Sequence, residues 1–573
     1  MSTLTAITRE KIPYSNTDIQ QVIKIFREKK IPIYERGEDD YERHIATANT
    51  LYRFSTPPCV VQPKCACDVR EVIRAARPRK IPITVKNGGH SYSGASTTNI
   101  GILMELGLMN EVALDVDSRS ATVKGGALWF HVYKELVSKH LDGWVINGGR
   151  CPTVGVSGFM LAGGLSPFTR SFGMGCDTVT QFTVVTAEGN EVTVSERDDP
   201  NSNEGRLFWA LRGAGNGNFG VVVEMKFALQ QLMTPFVVAG RYTWFPGRDD
   251  TDLFLPTMNS FYTWNWPREM TIDSTWICDL SNNRSDLAVR FTVSYNGPRQ
   301  QFNQAIDSWT PQDATPQQGR LKEQLKQRSL QEPSSRYLHE SLAAQWIEET
   351  RKAFPTNRAY RIYTSFVFEN TPEKIEPVTR IIREWMQIFK SRFAGESGQM
   401  DVVWIHAGGA ANDRRREDMA FRWRRSTYYT YVMIEWEEKW LEQPMRKFLG
   451  EFKPNLSPYG MVRWATIMNF PDDTLQPDAH EQAYYGKNRS RLREIKQIWD
   501  PTNYFNWSQG IRLPAETRRR GSTDQDNSSL KQEQVLIAEE ALTDVMALQQ
   551  WMSFSPPSPT DPYGSGVLPS LVY

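Results

Sequence analysis

Apolar residues at Ile19, Val22, Ile23 and Phe26 recur at helical spacing and predict an amphipathic helix near the start of the chain. Cys59-Val-Val-Gln-Pro63 is a short apolar run that reads as a strand. Asp68-Val-Arg-Glu-Val-Ile-Arg-Ala-Ala76 then takes up helical periodicity, with Asp68 at its start. Ile81-Pro-Ile-Thr-Val85 predicts a strand that runs into a glycine-rich loop. Ala121-Thr-Val-Lys-Gly-Gly126 and Thr183 to Val192 predict more strands, the second turning back at Glu188-Gly-Asn190. Another strand starts at Val221-Val-Val223. From about Phe236 to Ala479 the chain is rich in Trp, Tyr and Phe. Tyr428-Tyr-Thr-Tyr-Val-Met-Ile-Glu-Trp436 alternates there as a half-buried antiparallel strand does. Pro377-Val-Thr-Arg-Ile-Ile-Arg-Glu-Trp-Met386 predicts a helix between such strands. The fold class is α+β. Past Ala515 the pattern weakens. Ala515 to Ser529 is polar and reads as disordered, Leu530 to Trp551 allows one amphipathic helix, and the last stretch is rich in Pro and Ser.

Length adds that 573 residues exceed one core, so two or more domains are expected. A net charge of +1 gives no reason to expect nucleic acid or an acidic membrane as partner. No run approaches the roughly 20 apolar residues of a membrane span. The N-terminus lacks the apolar block of a secretory signal, and the expectation is an intracellular protein. The six cysteines, at 59, 65, 67, 151, 176 and 278, suggest no disulfide framework. Cys65-Ala-Cys67 reads as two ordinary thiols near a helix start, and the scattered His residues show no metal spacing. No catalytic metal is expected.

Two segments carry chemistry. Lys86-Asn-Gly-Gly-His-Ser-Tyr-Ser-Gly94 and Asn147-Gly-Gly-Arg-Cys-Pro-Thr-Val-Gly-Val-Ser-Gly158 each set one nucleophile, His90 or Cys151, beside paired glycines. Paired glycines let backbone approach a ligand closely, and such loops can turn N–H groups toward a pyrophosphate. Alone, each segment reads as a turn, and Cys151 as a small buried hydrophobe.

Together they resemble the two flavin-attachment segments of the berberine bridge enzyme family, FAD proteins of the vanillyl-alcohol oxidase / p-cresol methylhydroxylase class. Leu207-Phe-Trp-Ala-Leu-Arg-Gly-Ala-Gly-Asn-Gly-Asn-Phe-Gly-Val221 and Tyr484-Tyr-Gly-Lys-Asn-Arg-Ser-Arg-Leu492, running into Asp500-Pro-Thr-Asn-Tyr-Phe505, resemble two later family segments in the same order. The resemblance covers about Leu51 to Ile511. It implies an FAD-binding domain over 51–235, a substrate domain with an antiparallel sheet over 236–479, and a return to the FAD domain over 480–514. Residues 1–50 would pack on the FAD domain, and 515–573 would form a tail beyond the family pattern.

The resemblance implies FAD bound bicovalently, His90 to the 8α-methyl carbon and Cys151 to C6. Gly88, Gly89, Ser91 and Gly94 would shape the pyrophosphate loop. Gly155, Gly158, Gly163 and Gly164 would line the second segment, and Asn218, Gly220 and Val221 would match a later FAD-contacting strand. Val154 stands at a position tied to oxygen access and points to an oxidase using O₂. Phe159 stands where plant relatives often carry a histidine.

The catalytic base is less legible. Phe470, in Ile467-Met-Asn-Phe-Pro-Asp472, replaces a tyrosine of sugar-oxidising relatives, and a glutamate of alkaloid-cyclising relatives falls near Val432. Tyr92, His406, Tyr429 and Tyr431 are the remaining candidates, while Tyr484 and Tyr485 read as packing residues. The expected function is an FAD-dependent oxidase of a small apolar biosynthetic intermediate. A non-redox cyclase or dehydratase and a silent flavin-binding protein are the alternatives.

Overall fold

The helix anticipated from Ile19, Val22, Ile23 and Phe26 spans Asn16–Glu28 and buries those four residues. Ser15 and Asp18 close a capping box that satisfies amides of its first turn. It packs with the helix Ala66–Ala76 beside a four-stranded sheet ordered Ile33–Glu35, Cys59–Val61, Ile102–Glu105, Ile83–Lys86. The last three strands run parallel. This computed structural model describes residues 12–514 except 48, 247–250, 283–285, 311–313, 348–358 and 476–478. The expected disorder and helix beyond 515 lie outside the described residues.

A five-stranded antiparallel sheet follows, ordered Val112–Asp115, Ser120–Lys124, Val221–Ala228, Val179–Val185, Glu191–Ser195. The hairpin read at Glu188-Gly-Asn190 is present, with Gly189 at φ +74° in the turn. Beyond it a seven-stranded antiparallel sheet is ordered Ser329–Pro333, Phe236–Trp244, Ala288–Tyr295, Met270–Asp279, Gly398–His406, Tyr428–Trp436, Tyr360–Phe368. The change of sheet falls between Ala228 and Phe236, where aromatic content rises. Helices Ala479–Tyr485 and Arg489–Trp499 then carry the chain back. The Lys496 amine donates to Asn218 O and Phe505 O, and to Asp500 Oδ2 at 2.8 Å.

Three local expectations are corrected. The strand Tyr428–Trp436 is covered on both faces rather than half-buried. Tyr428, Val432 and Ile434 enter the core formed with helices Pro372–Arg392 and Glu442–Leu456, while Tyr429, Tyr431 and Met433 enter a second apolar cluster. Alternation in such a strand separates two kinds of interior rather than core from solvent. The second helix begins at Ala66, two residues earlier than read, because Cys65 supplies the N-cap and Asp68 sits in the first turn. Cys65 and Cys67 are joined in a disulfide, so they are not ordinary thiols.

Candidate active site

The strand Ile83–Lys86 delivers the first glycine-rich loop to the edge of a cavity of about 590 Å³. Lys86 is buried under the loop, and its amine donates to His44 O at 2.6 Å and Ala46 O at 2.8 Å. Burial pulls its pKa down to about 8. The amide of Asn87 donates to Gly125 O at 2.8 Å, Ala127 O at 3.2 Å and Ser157 Oγ at 2.9 Å, tying this loop to the segment that carries Cys151. Gly88 is needed for close approach. A Cβ there would lie 2.5 Å from Thr153 O and 2.7 Å from Gly155 N, both backbone atoms.

That contact brings the two nucleophiles to one hydroxyl. His90 Nε2 lies 3.0 Å from Thr153 Oγ1, and Cys151 Sγ lies 3.3 Å from the same oxygen. Of the four free cysteines, Cys59, Cys176 and Cys278 are buried, and burial pushes their thiols up to about 12. Cys151 alone among them has partial exposure, as a reactive thiol requires.

Gly88, Gly89, His90, Ser91, Tyr92 and Gly94 line the cavity, as do Cys151, Val154, Gly155, Gly158, Gly220 and Val221. Ser91 Oγ accepts from Ala95 N at 3.0 Å, which closes the loop's turn. Gly163, Gly164 and Asn218 do not line it. Gly163 and Gly164 have positive φ, and their carbonyls accept from Cys176 N and Gly175 N, so they seat the following turn. Asn218 is buried, donates to Ala214 O at 3.0 Å and accepts from Ile511 N at 2.9 Å, so it anchors the returning chain.

The opposite wall comes from the seven-stranded sheet, where Val403, Ile405 and Tyr431 face the cavity. Tyr431 stacks on Phe470 at 3.8 Å, Phe470 on Tyr92 at 5.6 Å, and Tyr92 lies 4.2 Å from Tyr363. Phe159 also lines the cavity and meets Trp129 edge-on at 5.1 Å. Strand alternation sends His406 and Val432 to the other side of the sheet. His406 is 1 % exposed, its Nδ1 accepts from Ile272 N at 3.2 Å, and its backbone N–H donates to Asp273 Oδ1 at 2.9 Å. Burial, with Arg170 and Arg150 nearby, holds its pKa well below the ordinary value. Tyr429 shares Tyr431's face, but its hydroxyl donates to Trp423 O and its ring packs on Phe421. Two of the four candidate bases therefore lie at the cavity and two do not. Tyr484 and Tyr485 are buried and donate to Gln509 Oε1 at 2.7 Å and Ala214 O at 2.8 Å.

Sequence reasoning missed several wall residues. Asn469 adjoins Phe470 and Trp507 follows the last motif, so both stood within reach of the motifs. Trp346, from a helical turn after Leu342–Gln345, had no signal. Arg150 is the only Asp, Glu, Lys or Arg among the described lining residues, and its Nε donates to Asp273 Oδ2 at 2.6 Å. Burial pushes the Asp273 carboxyl up against the pull of Arg150. The cavity therefore offers no unpaired carboxylate among the described residues.

The sequence matches the family described as FAD binding domain over residues 57–195 and that described as Berberine and berberine like over 467–512. An uncharacterised FAD-linked oxidoreductase of Bacillus subtilis is 25% identical over 490 residues, 84% of this chain and 96% of that one. A xylooligosaccharide oxidase of Thermothelomyces thermophilus is 25% identical, over 85% of this chain and 93% of its own. The solved structure of berberine bridge enzyme from Eschscholzia californica shares the fold, with a TM-score of 0.72, 19% identity, and 87% and 99% of the two chains covered. The wall suits FAD. It is rich in glycine backbone, and Asn87 Oδ1, Thr97 Oγ1, Asn469 Oδ1 and Trp507 Nε1 are buried there with no hydrogen-bond partner among the described residues. No helix among the described residues is long and apolar enough to cross a membrane.

Proposed function

Since the chain belongs to the berberine bridge enzyme-like FAD-linked oxidoreductases, we propose that it is an oxidase of a small, uncharged, apolar molecule, with FAD held by both His90 and Cys151. One observation carries the reading. Both nucleophiles meet at Thr153 on one wall of the cavity, the facing wall is aromatic, and Arg150, the one charged lining residue among the described residues, is turned to Asp273. FAD held by His90 and Cys151 would supply the redox chemistry, accepting a hydride from a substrate carbon and being reoxidised by O₂ to give hydrogen peroxide. Each attachment replaces one protein hydrogen and one flavin hydrogen with a bond. The two electrons and two protons released reduce one O₂ to hydrogen peroxide.

The chain's part is to hold the ring by two fixed points, stack an apolar substrate on Tyr92, Phe470 and Tyr431, and exclude water. Tyr92 and Tyr431 are the hydroxyls proposed to take a substrate proton, and Val154 is proposed to keep the ring open to oxygen. An alcohol-to-ketone oxidation, desaturation or oxidative ring closure in a biosynthetic pathway fits this wall. Phe470 supports a second reading, a non-redox cyclase or dehydratase, because it sets an inert ring where a proton acceptor would serve an oxidation.

The test is the visible spectrum of purified enzyme before and after acid precipitation, with masses of the flavin-bearing peptides. Colour kept in the pellet, with FAD mass on both the His90 and Cys151 peptides, is expected. Flavin released to the supernatant overturns the bicovalent reading. Turnover of an apolar substrate with equimolar peroxide is expected, and turnover without oxygen uptake favours the non-redox reading.

A further inference from the structure

The hydroxyl of Thr153 touches both attachment nucleophiles, at 3.0 Å from His90 Nε2 and 3.3 Å from Cys151 Sγ. A threonine hydroxyl can accept one proton while donating another. The array S–H to Oγ and Oγ–H to Nε2 is therefore a complete path between thiol and imidazole. The thiolate is the nucleophile, and an ordinary thiol of pKa about 8.5 is mostly protonated near neutrality. An imidazole within hydrogen-bond reach is the usual activator of such a group, and one intervening hydroxyl preserves the link.

We propose that Thr153 is a positioning residue for cofactor attachment: it relays the Cys151 thiol proton to His90, so that the thiolate is formed where the flavin ring lies. The S–H bond breaks as its proton passes to Thr153 Oγ1, and the Thr153 proton passes to His90 Nε2. A thiolate and an imidazolium remain, with the hydroxyl restored between them. No electrons move in this step. Bond formation at the ring then follows the oxygen-dependent balance given above, so the inference rests on the bicovalent reading.

Four neighbouring titratable side chains among the described residues are engaged elsewhere. Arg150, next in the chain, is turned to Asp273. Tyr133 donates its hydroxyl to Gly149 O at 2.5 Å. Lys86 is tied to His44 O and Ala46 O beneath the loop. Tyr92 faces the aromatic wall.

The experiment uses full-length apoprotein from a riboflavin-starved host, mixed with FAD in aerated buffer from about pH 6 to about pH 9. The mass of the Cys151 peptide is followed in time. Thr153→Val is expected to slow the Cys151 bond roughly 10²-fold at neutral pH. Its rate then rises about tenfold per pH unit toward the ordinary thiol pKa, while wild type stays nearly flat above the imidazole range. Thr153→Ser is expected to keep wild-type behaviour, and Thr153→Ala repeats the test with a smaller side chain should valine not be accommodated. Wild-type rate and profile in both Thr153→Val and Thr153→Ala overturn the relay alone. So does a slow rate that rising pH does not rescue, which marks a packing role. Wild type with no flavin on Cys151 overturns the bicovalent reading and the relay together.

Discussion

The two walls of the cavity are built by opposite means. The wall with His90 and Cys151 is backbone brought against backbone, with glycine at the contacts and short polar side chains as ties. The wall with Tyr431, Phe470 and Val403 is side chain brought against side chain, from strands and a loop far apart in sequence. The first wall tolerates little change because peptide groups cannot rotate away from a new atom. The second changes chemistry by single substitutions, because each strand offers every other residue to the cavity. A cofactor shared by many reactions belongs on the first kind of wall, and a substrate peculiar to one belongs on the second.

The largest effect is expected from a methyl group at Gly88. Its Cβ would stand 2.5 Å from Thr153 O, and neither that carbonyl nor Gly155 N can move without parting the two loops. Overpacking of this kind costs on the order of 1–3 kcal/mol. Gly88→Ala is therefore expected to yield protein with less than about a tenth of the wild-type flavin content, measured by absorbance against protein. Gly450→Ala is the control, because its Cβ meets nothing within 4 Å and it lies in the helix Glu442–Leu456, outside the cavity lining. Equal flavin content in Gly88→Ala and wild type would break the contrast between the walls.

That contrast also explains what was legible in the sequence. The wall with His90 and Cys151 is written locally. Gly88, Gly89 and His90 are consecutive, Cys151 and Gly155 lie within one segment, and all five line the cavity. Gly163, Gly164 and Asn218 belong to the same segments by pattern, yet they serve the turns behind the wall, which a motif cannot distinguish. The substrate wall is written in register. Tyr431 lines the cavity while Val432 points into the opposite core, and one residue of slip exchanges them. His406 failed as a candidate for the same reason, since its neighbour Ile405 has the cavity face. Periodicity showed the helices around Ile19–Phe26, Asp68–Ala76 and Pro377–Met386 and some strands of each of the three larger sheets, but gave no separate reading for the strands Ile102–Glu105, Met270–Asp279, Ala288–Tyr295, Tyr360–Phe368 and Gly398–His406. Burial on both faces of Tyr428–Trp436 was not visible, because a period of two looks alike whether the second face meets water or a second interior.

Tyr429 and Tyr431 sharpen the comparison within one strand. Tyr431→Phe removes a hydroxyl at the cavity and leaves the ring stacked on Phe470. If Tyr431 accepts the substrate proton, kcat falls by roughly 10²-fold or more, with thermal stability unchanged. Tyr429→Phe removes the donor to Trp423 O, in a site where burial pushes the phenol up to about 12. It is expected to leave kcat alone and to cost about 1–3 kcal/mol of stability, because a buried carbonyl loses its partner. Denaturant melts and steady-state rates on both variants decide the matter. An unchanged kcat in Tyr431→Phe moves the role to Tyr92, and a catalytic loss in Tyr429→Phe contradicts the assignment of faces.

The smallest effect comes from behind the sheet. His406 is buried between a backbone donor and Asp273, near Arg150 and Arg170, and its folded pKa lies well below that of the unfolded chain. Above the unfolded value of about 6.5 both states hold the ring neutral, and the histidine adds no pH dependence. Below it the unfolded chain takes up a proton that the folded one refuses. Stability is then lost as pH falls, by about 1.4 kcal/mol per pH unit, until the folded pKa is reached. His406→Gln keeps a hydrogen-bonding side chain without the titration. Melts near pH 7.5 and pH 5.5 are expected to show a smaller acid loss in the variant than in wild type, by about 1 kcal/mol. Equal losses would mean that the ring is protonated in the folded protein. It would then carry a positive charge beside Asp273, and the interior behind the substrate wall would be polar rather than sealed.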